Sequence, residues 1–248
     1  MSLAKYVEMV RAREKEVANL IEFLSEKSKG FEKPKLILIG GYGLRAFIPF
    51  VRSTRDCDFA LRKENWHLDE VKKWLAEEFL IETFEKKDSS GYMRCIKLIK
   101  IGRRHVRVSL DFMEGEVTGR AEKDVVKIDE MFVLNSWRTK IGIADREIEV
   151  RVPSYTDYLI LKVVSGRVSD AKDIAALVWK NGLPERLEER VKEIMPYPEV
   201  FKEKLRKSIL PVIKDKRFLH SWRGTFMTTE FDEEIKEQLI EQLSKLDL

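Results

Sequence analysis

Glutamine is nearly missing from these 248 residues: Gln238 and Gln242 are the only two, beside four asparagines. Charged side chains fill the gap at 36%, against a usual quarter. Many Lys and Glu with few amides is a hyperthermophile composition, so a thermophile source is expected. Cysteine is as scarce. Cys57 and Cys95 make neither a disulfide framework nor a C-x-x-C zinc pair. His67, His105 and His220 are scattered, which excludes a histidine-rich metal site. No apolar run approaches about 18 residues, and "MSLAKYVEMVRAREKEV" holds no apolar signal core. A reduced, cytoplasmic protein with no membrane partner is expected.

Hydrophobic residues make up 44%, enough for one large or two small globular domains. The net charge of +4 is a mild basic bias. It permits a nucleic-acid or nucleotide partner without requiring one, and a solvated surface of mixed charge fits equally.

Apolar positions Leu3, Tyr6, Val7, Val10, Val17, Leu20, Ile21 and Leu24 predict a helix over 3–28, stopped by Gly30 and Pro34. "KLILIG" reads as a buried strand, 43–51 as a short helix, "DCDFAL" as the next strand and "HLDEVKKWLAEEF" as an amphipathic helix. "MRCIKLIKI" and "HVRVSLDFM" flank "GRR" as a hairpin, and a second hairpin is predicted around 139–152. Beyond Pro153 the pattern is helical, at about 154–165, 170–181, 185–194, 199–209 and 232–246. The expected fold is α+β: an N-terminal mixed-sheet part, 1–153, followed by a helical part, 154–248.

The chemistry concentrates in "GGYGLRAFIPFVRSTRDCDFAL", from Gly40 to Leu61. On a strand, residues i and i+2 share a face, so Asp56 and Asp58 point the same way. Asp111 lies on the polar side of a later strand. If that strand pairs beside the first, three carboxylates converge, and at least one pKa rises unless a cation sits among them. Such a set suits magnesium or manganese, with substrate phosphates completing the shell. D-x-D alone is also an ordinary cap or turn. What distinguishes this one is a strand running into Gly40, Gly41 and Gly43 and then a helix, where free amides bind phosphate. The stretch is not a P-loop, for G-K-[ST] is missing. A dinucleotide fingerprint through Gly41, Gly43 and Ala46 leaves too little chain before Asp56 for a crossover helix.

Glycine turn, R-x-T-x-D-x-D and later strand aspartate together resemble the DNA polymerase β-like nucleotidyltransferase superfamily. Within it, "RSTRDCDF" resembles the abortive-infection type of toxin nucleotidyltransferase. "YLILKVVSGRVSDAKDIAAL" supplies the downstream lysine and basic-acidic block of that group, with Lys162, Arg167, Lys172 and Asp173. The resemblance covers roughly 36–180 and departs at Gly41, where many relatives carry Ser or Thr. It implies a mixed-sheet nucleotidyltransferase domain with a helical domain, moving a nucleoside monophosphate from an NTP to a hydroxyl. Asp56, Asp58 and Asp111 would hold magnesium, with Asp111 on the acceptor side as ligand or base. Gly40 and Gly41 would admit the triphosphate. Thr54, Arg45 and Arg52 would meet phosphates, Lys162 would neutralise the nucleotide, and Asp173 would be the matching helix acid. Trp137, Tyr155 and Tyr158 are candidates to stack a base, though aromatics at such positions are more often core residues. The acceptor hydroxyl stays open among RNA, protein and a small molecule; the resemblance implies a tRNA end or other RNA, in a toxin–antitoxin or phage-defence pair with an antitoxin protein. Two rivals remain: an inactive nucleotide- or partner-binding module of the same fold, and a nicotinamide enzyme on a doubly wound sheet.

Overall fold

The computed structural model describes residues 3–49, 52–63, 67–80, 83–87 and 91–246. The architecture is α+β, a mixed sheet with a helical part. The chain forms two compact units. The first comprises 1–46, 53–116 and 128–153; the second comprises 47–52, 117–127 and 154–248.

In the first unit, α1 (Leu3–Lys27) leads to β1 (Ile37–Ile39). Val17, Leu20, Ile21 and Leu24 of α1 are fully buried, whereas Tyr6 and Val7 on the same predicted stripe are exposed. The helix expected over 43–51 begins earlier: α2 (Gly40–Gly43) starts directly at the end of β1 and tightens into a 3₁₀ turn over Leu44–Ala46. Residues 50 and 51 lie outside the described set. Then come β2 (Asp56–Leu61), α3 (His67–Glu78), β3 (Thr83–Lys87), β4 (Tyr92–Ile101) and β5 (Arg104–Glu114). The five-stranded sheet has the order β1-β2-β5-β4-β3. Only β2 with β5 runs parallel; the other three pairs are antiparallel. A doubly wound parallel sheet is thereby excluded.

Register follows from alternation. Asp58 pairs with Asp111, and the next residues along, Phe59 and Phe112, pair on the opposite face. The two rings stack at 5.4 Å and are fully buried, beside Cys57, Cys95 and Leu110. A slip of one residue would drive aspartates into this core and phenylalanines out of it, so the pattern fixes which face carries the acids. Burial also pushes both thiols up, Cys95 to about 12, which leaves them inert packing groups.

Short strands β6 (Glu116–Thr118) and β7 (Val125–Lys127) pair with each other, and α4 (Glu130–Leu134) precedes the hairpin of β8 (Trp137–Ile143) and β9 (Arg146–Val152). Neither β6, β7 nor α4 carries a periodicity long enough to read from sequence.

The second unit contains α5 (Tyr155–Ser165), α6 (Val168–Asn181), α7 (Leu187–Ile194) and α8 (Glu199–Lys204). One π turn over Leu205–Ile209 joins α8 to α9 (Leu210–Lys214), then α10 (Phe218–Phe226) and α11 (Glu233–Ser244) follow. Trp222 is fully buried and stacks on Phe231 at 4.4 Å, which anchors the tail. Two segments expected in the N-terminal part group here instead. Phe47 packs on Tyr158 at 4.7 Å, and its carbonyl accepts from Asn181 Nδ2 at 3.1 Å. Asp124 accepts from Lys204 Nζ at 2.6 Å and from the amides of Arg120 and Ala121. Among the described residues no helix is long and apolar enough to cross a membrane.

Candidate functional site

Asp56 and Asp58 alternate along β2, and β5 lies beside it with Asp56 opposite Ser109 and Asp58 opposite Asp111. Neighbours in register share a face of a sheet, so all three acids stand on one side. Asp56 is exposed, Asp58 half-buried and Asp111 buried.

The glycine turn packs against this row. Gly40 has φ +63, and a Cβ there would lie 1.9 Å from Asp58 Oδ2. At Gly41 a Cβ would lie 2.5 Å from Thr54 Oγ1. The bare backbone therefore receives the second aspartate and the threonine of R-x-T-x-D-x-D. Gly40→Ala meets both a left-handed backbone and the carboxylate. We expect it to cost about 1–3 kcal/mol, read from urea unfolding, because Asp58 has to move.

Asp111 is already neutralised. Arg94 stands opposite it across β4 and β5 and grips it with both nitrogens, Nε to Oδ1 at 2.7 Å and Nη2 to Oδ2 at 2.6 Å. Ser109 Oγ donates to Oδ1 at 3.4 Å, and the Tyr92 hydroxyl also bonds this carboxylate. The bond to Asp111 raises the Arg94 pKa further, and burial, then the nearby Asp111 charge, raises that of Tyr92. The cation demanded by three gathered acids is thus a guanidinium. Sequence reasoning missed Arg94, yet a signal exists. The two-residue turn at Gly102 and Arg103 fixes the hairpin register, and Arg94 is as far before the turn as Asp111 is after it.

Tested against a divalent ion, the donors fit in part. Asp56 and Asp58 present oxygens on an accessible face, which suits magnesium sharing its shell with water and phosphate. Asp111 does not fit as a third ligand while Arg94 holds both its oxygens. Among the described residues no three His, Cys, Asp or Glu side chains form a metal-holding group.

Lys162, Asp173 and Arg52 gather in the second unit. Lys162 lies in the last turn of α5; Gly166 at φ +60 turns the chain, and α6 begins with Asp170 and Asp173 on one face. Lys162 Nζ reaches Asp173 Oδ2 at 2.8 Å and Asp170 Oδ1 at 3.2 Å. Arg52 grips Asp173 with Nε and Nη2, each at 2.6 Å. A cation at a helix C-terminus and anions at an N-terminus also suit both helix dipoles. Asp173 is fully buried and Lys162 only 5% exposed. Burial opposes the charge on each, but the partners win: the Asp173 pKa is lowered and the Lys162 pKa raised. Lys172 turns away to Thr225 Oγ1 at 2.8 Å. Arg45, in the first unit, is paired with Glu14 at 2.7 Å and donates to the Gly142 carbonyl. Tyr158 is core, Tyr155 donates to the Gly182 carbonyl at 2.7 Å, and Trp137 is 42% exposed.

No family model and no curated protein matches the chain. Among solved structures it is similar to a proposed nucleotidyltransferase from H. pylori, at 14% identity and a TM-score of 0.45, covering 92% of this chain and 96% of that one. It is similar also to JHP933 from Helicobacter pylori, at 14% identity and 0.43, covering 90% and 91%. Likenesses this loose fix neither fold nor activity.

Proposed function

We propose that the chain is a metal-dependent nucleotidyltransferase that moves a nucleoside monophosphate from an NTP to a hydroxyl acceptor. The observation that carries this is the row Asp56, Asp58 and Asp111 on one sheet face, seated against the glycine turn. Asp56 and Asp58 would hold magnesium or manganese. The ion would supply positive charge to the phosphates when bound. The exposed Asp56 faces the entering triphosphate, and Thr54 beside Gly41 offers a hydroxyl to it. Asp111 becomes free as base or ligand when Arg94 exchanges it for a substrate phosphate, an anion the planar fork binds equally well. Lys162, Asp173 and Arg52 shape the helical part rather than touch the nucleotide directly, because their charges are spent on one another. A tRNA or other RNA acceptor, a toxin-like or defence role, an antitoxin partner and a cytoplasmic setting belong to this proposal through the sequence resemblance.

Incubation with each α-labelled NTP, magnesium and total RNA tests it, beside Asp56→Ala and an EDTA arm. Label on an acceptor in the wild type alone is the expected result. NTP binding without label on any acceptor favours the second reading, an inactive nucleotide-binding module. The saturated hydrogen bonds of Asp111 are the observation on its side.

A further inference from the structure

The two longest stretches without Asp or Glu are 33–55 and 89–110, and each ends at a site aspartate, Asp56 and Asp111. The second is the hairpin of β4 and β5, with Arg94, Lys97, Lys100, Arg103, Arg104 and Arg107. Its inner cations are paired, Arg94 with Asp111 and Lys97 with Glu16. The four outer ones are exposed and make no ion pair among the described residues. Where a carboxylate lies one helical turn away, exposed cations do pair, as Lys73, Lys207 and Lys245 show; the hairpin's acid-free stretch offers its outer cations no such neighbour along the chain.

Alternation places part of this charge on the acid-bearing face. Going outward from Asp111 opposite Arg94, that face carries Ser109 opposite Ile96, Arg107 opposite Leu98, and His105 opposite Lys100, then the turn with Arg103. From Asp111 to His105 is six residues, about 20 Å at roughly 3.4 Å each. Residues on that face recur at every second position, about 6.8 Å apart, so the strip offers positive charge along a line rather than at a point. These outer positions hold no Phe, Tyr or Trp, and the exposed His105 ring is the one stacking surface among them. Contact through the backbone, without base reading, is what such a strip can make.

We propose that this outer hairpin binds the phosphodiester backbone of a nucleic-acid strand and leads its terminal hydroxyl toward the aspartates. The proposal deepens, and for its acceptor end rests on, the nucleotidyl-transfer reading. Its test is binding without NTP or metal: fluorescence anisotropy of a short labelled RNA from about 50 to 200 mM salt. Lys100→Gln/Arg103→Gln/Arg104→Gln/Arg107→Gln should weaken binding at least tenfold. It should also flatten the log–log salt slope by about 3, at roughly 0.7 per single-strand phosphate contact. A control with equal charge loss at the exposed Lys73, Lys207, Arg217 and Lys245 should stay within about twofold. Unchanged affinity in the strip variant, or equal loss in the control, overturns the proposal. So does capture of anionic phospholipid vesicles with no RNA binding. Label transfer to a small or protein acceptor without RNA binding sinks the strip and spares the transfer reading. Strip-dependent RNA binding with no transfer to any acceptor does the reverse.

Discussion

Asp173→Ala should destabilise the second unit by about 3–5 kcal/mol. The carboxylate is fully buried and answers two cations, Arg52 and Lys162. Its removal leaves Lys162 in a dry site with Asp170 alone at 3.2 Å. Trp179 and Trp222 report the loss, since Trp222 Nε1 donates to the Lys172 carbonyl beside Asp173. Urea titration followed by their fluorescence measures it. A loss below about 1 kcal/mol would refute the hub. The double variant Lys162→Met/Asp173→Leu should recover part of the loss, because it removes the stranded lysine but still takes Asp173 from Arg52 and Lys162 from Asp170. If it folds well yet transfers no nucleotide, the network matters for chemistry as well as for folding.

The same network sets a pH dependence. The Asp173 pKa is depressed in the folded state, so its stabilisation is present above the unfolded value of about 3.9 and is lost as pH falls through the folded one. The Lys162 pKa is raised, so its share persists below about 10.4 and fades only as pH rises through the folded value. Urea midpoints of the wild type should therefore fall steeply under acid conditions, and those of Lys162→Met/Asp173→Leu should fall less.

Asp58→Asn should lower nucleotidyl transfer by roughly 10³-fold, about 4 kcal/mol in barrier, while changing stability by less than about 1 kcal/mol. Asn keeps the shape over Gly40 but removes the charge that would hold a cation and stands next to Asp111. Rate and urea midpoint measured on the same preparation separate the two. A parallel loss of both would assign Asp58 to folding; an unchanged rate would remove it from the site. Arg94→Met is the informative companion. It frees Asp111 and leaves two acids adjacent without a counter-cation, so metal affinity should rise while stability falls.

The sequence carried the acid row because alternation is local. D-x-D-F and S-L-D-F each state their own facing, and both strands were legible. Their adjacency was not, since parallel pairing joins segments some fifty residues apart. The same distance problem hid the burial of Lys162. Its helix shows an ordinary lysine, and only Asp170 and Asp173 across the turn explain why it can be dry. The helix expected at 43–51 was misplaced because glycines, poor helix formers, open α2. They are there for Asp58 and Thr54, contacts no propensity encodes.

The Arg94 grip on Asp111 also bears on the order of assembly. It spans 17 residues across a two-residue turn, so it can form within an isolated hairpin. The β2–β5 pairing closes a far longer loop and comes later on entropic grounds. When Asp58 arrives, the acid it must settle beside already carries its guanidinium. Electrostatic frustration at the heart of the sheet is thereby discharged before the strands that would suffer it meet.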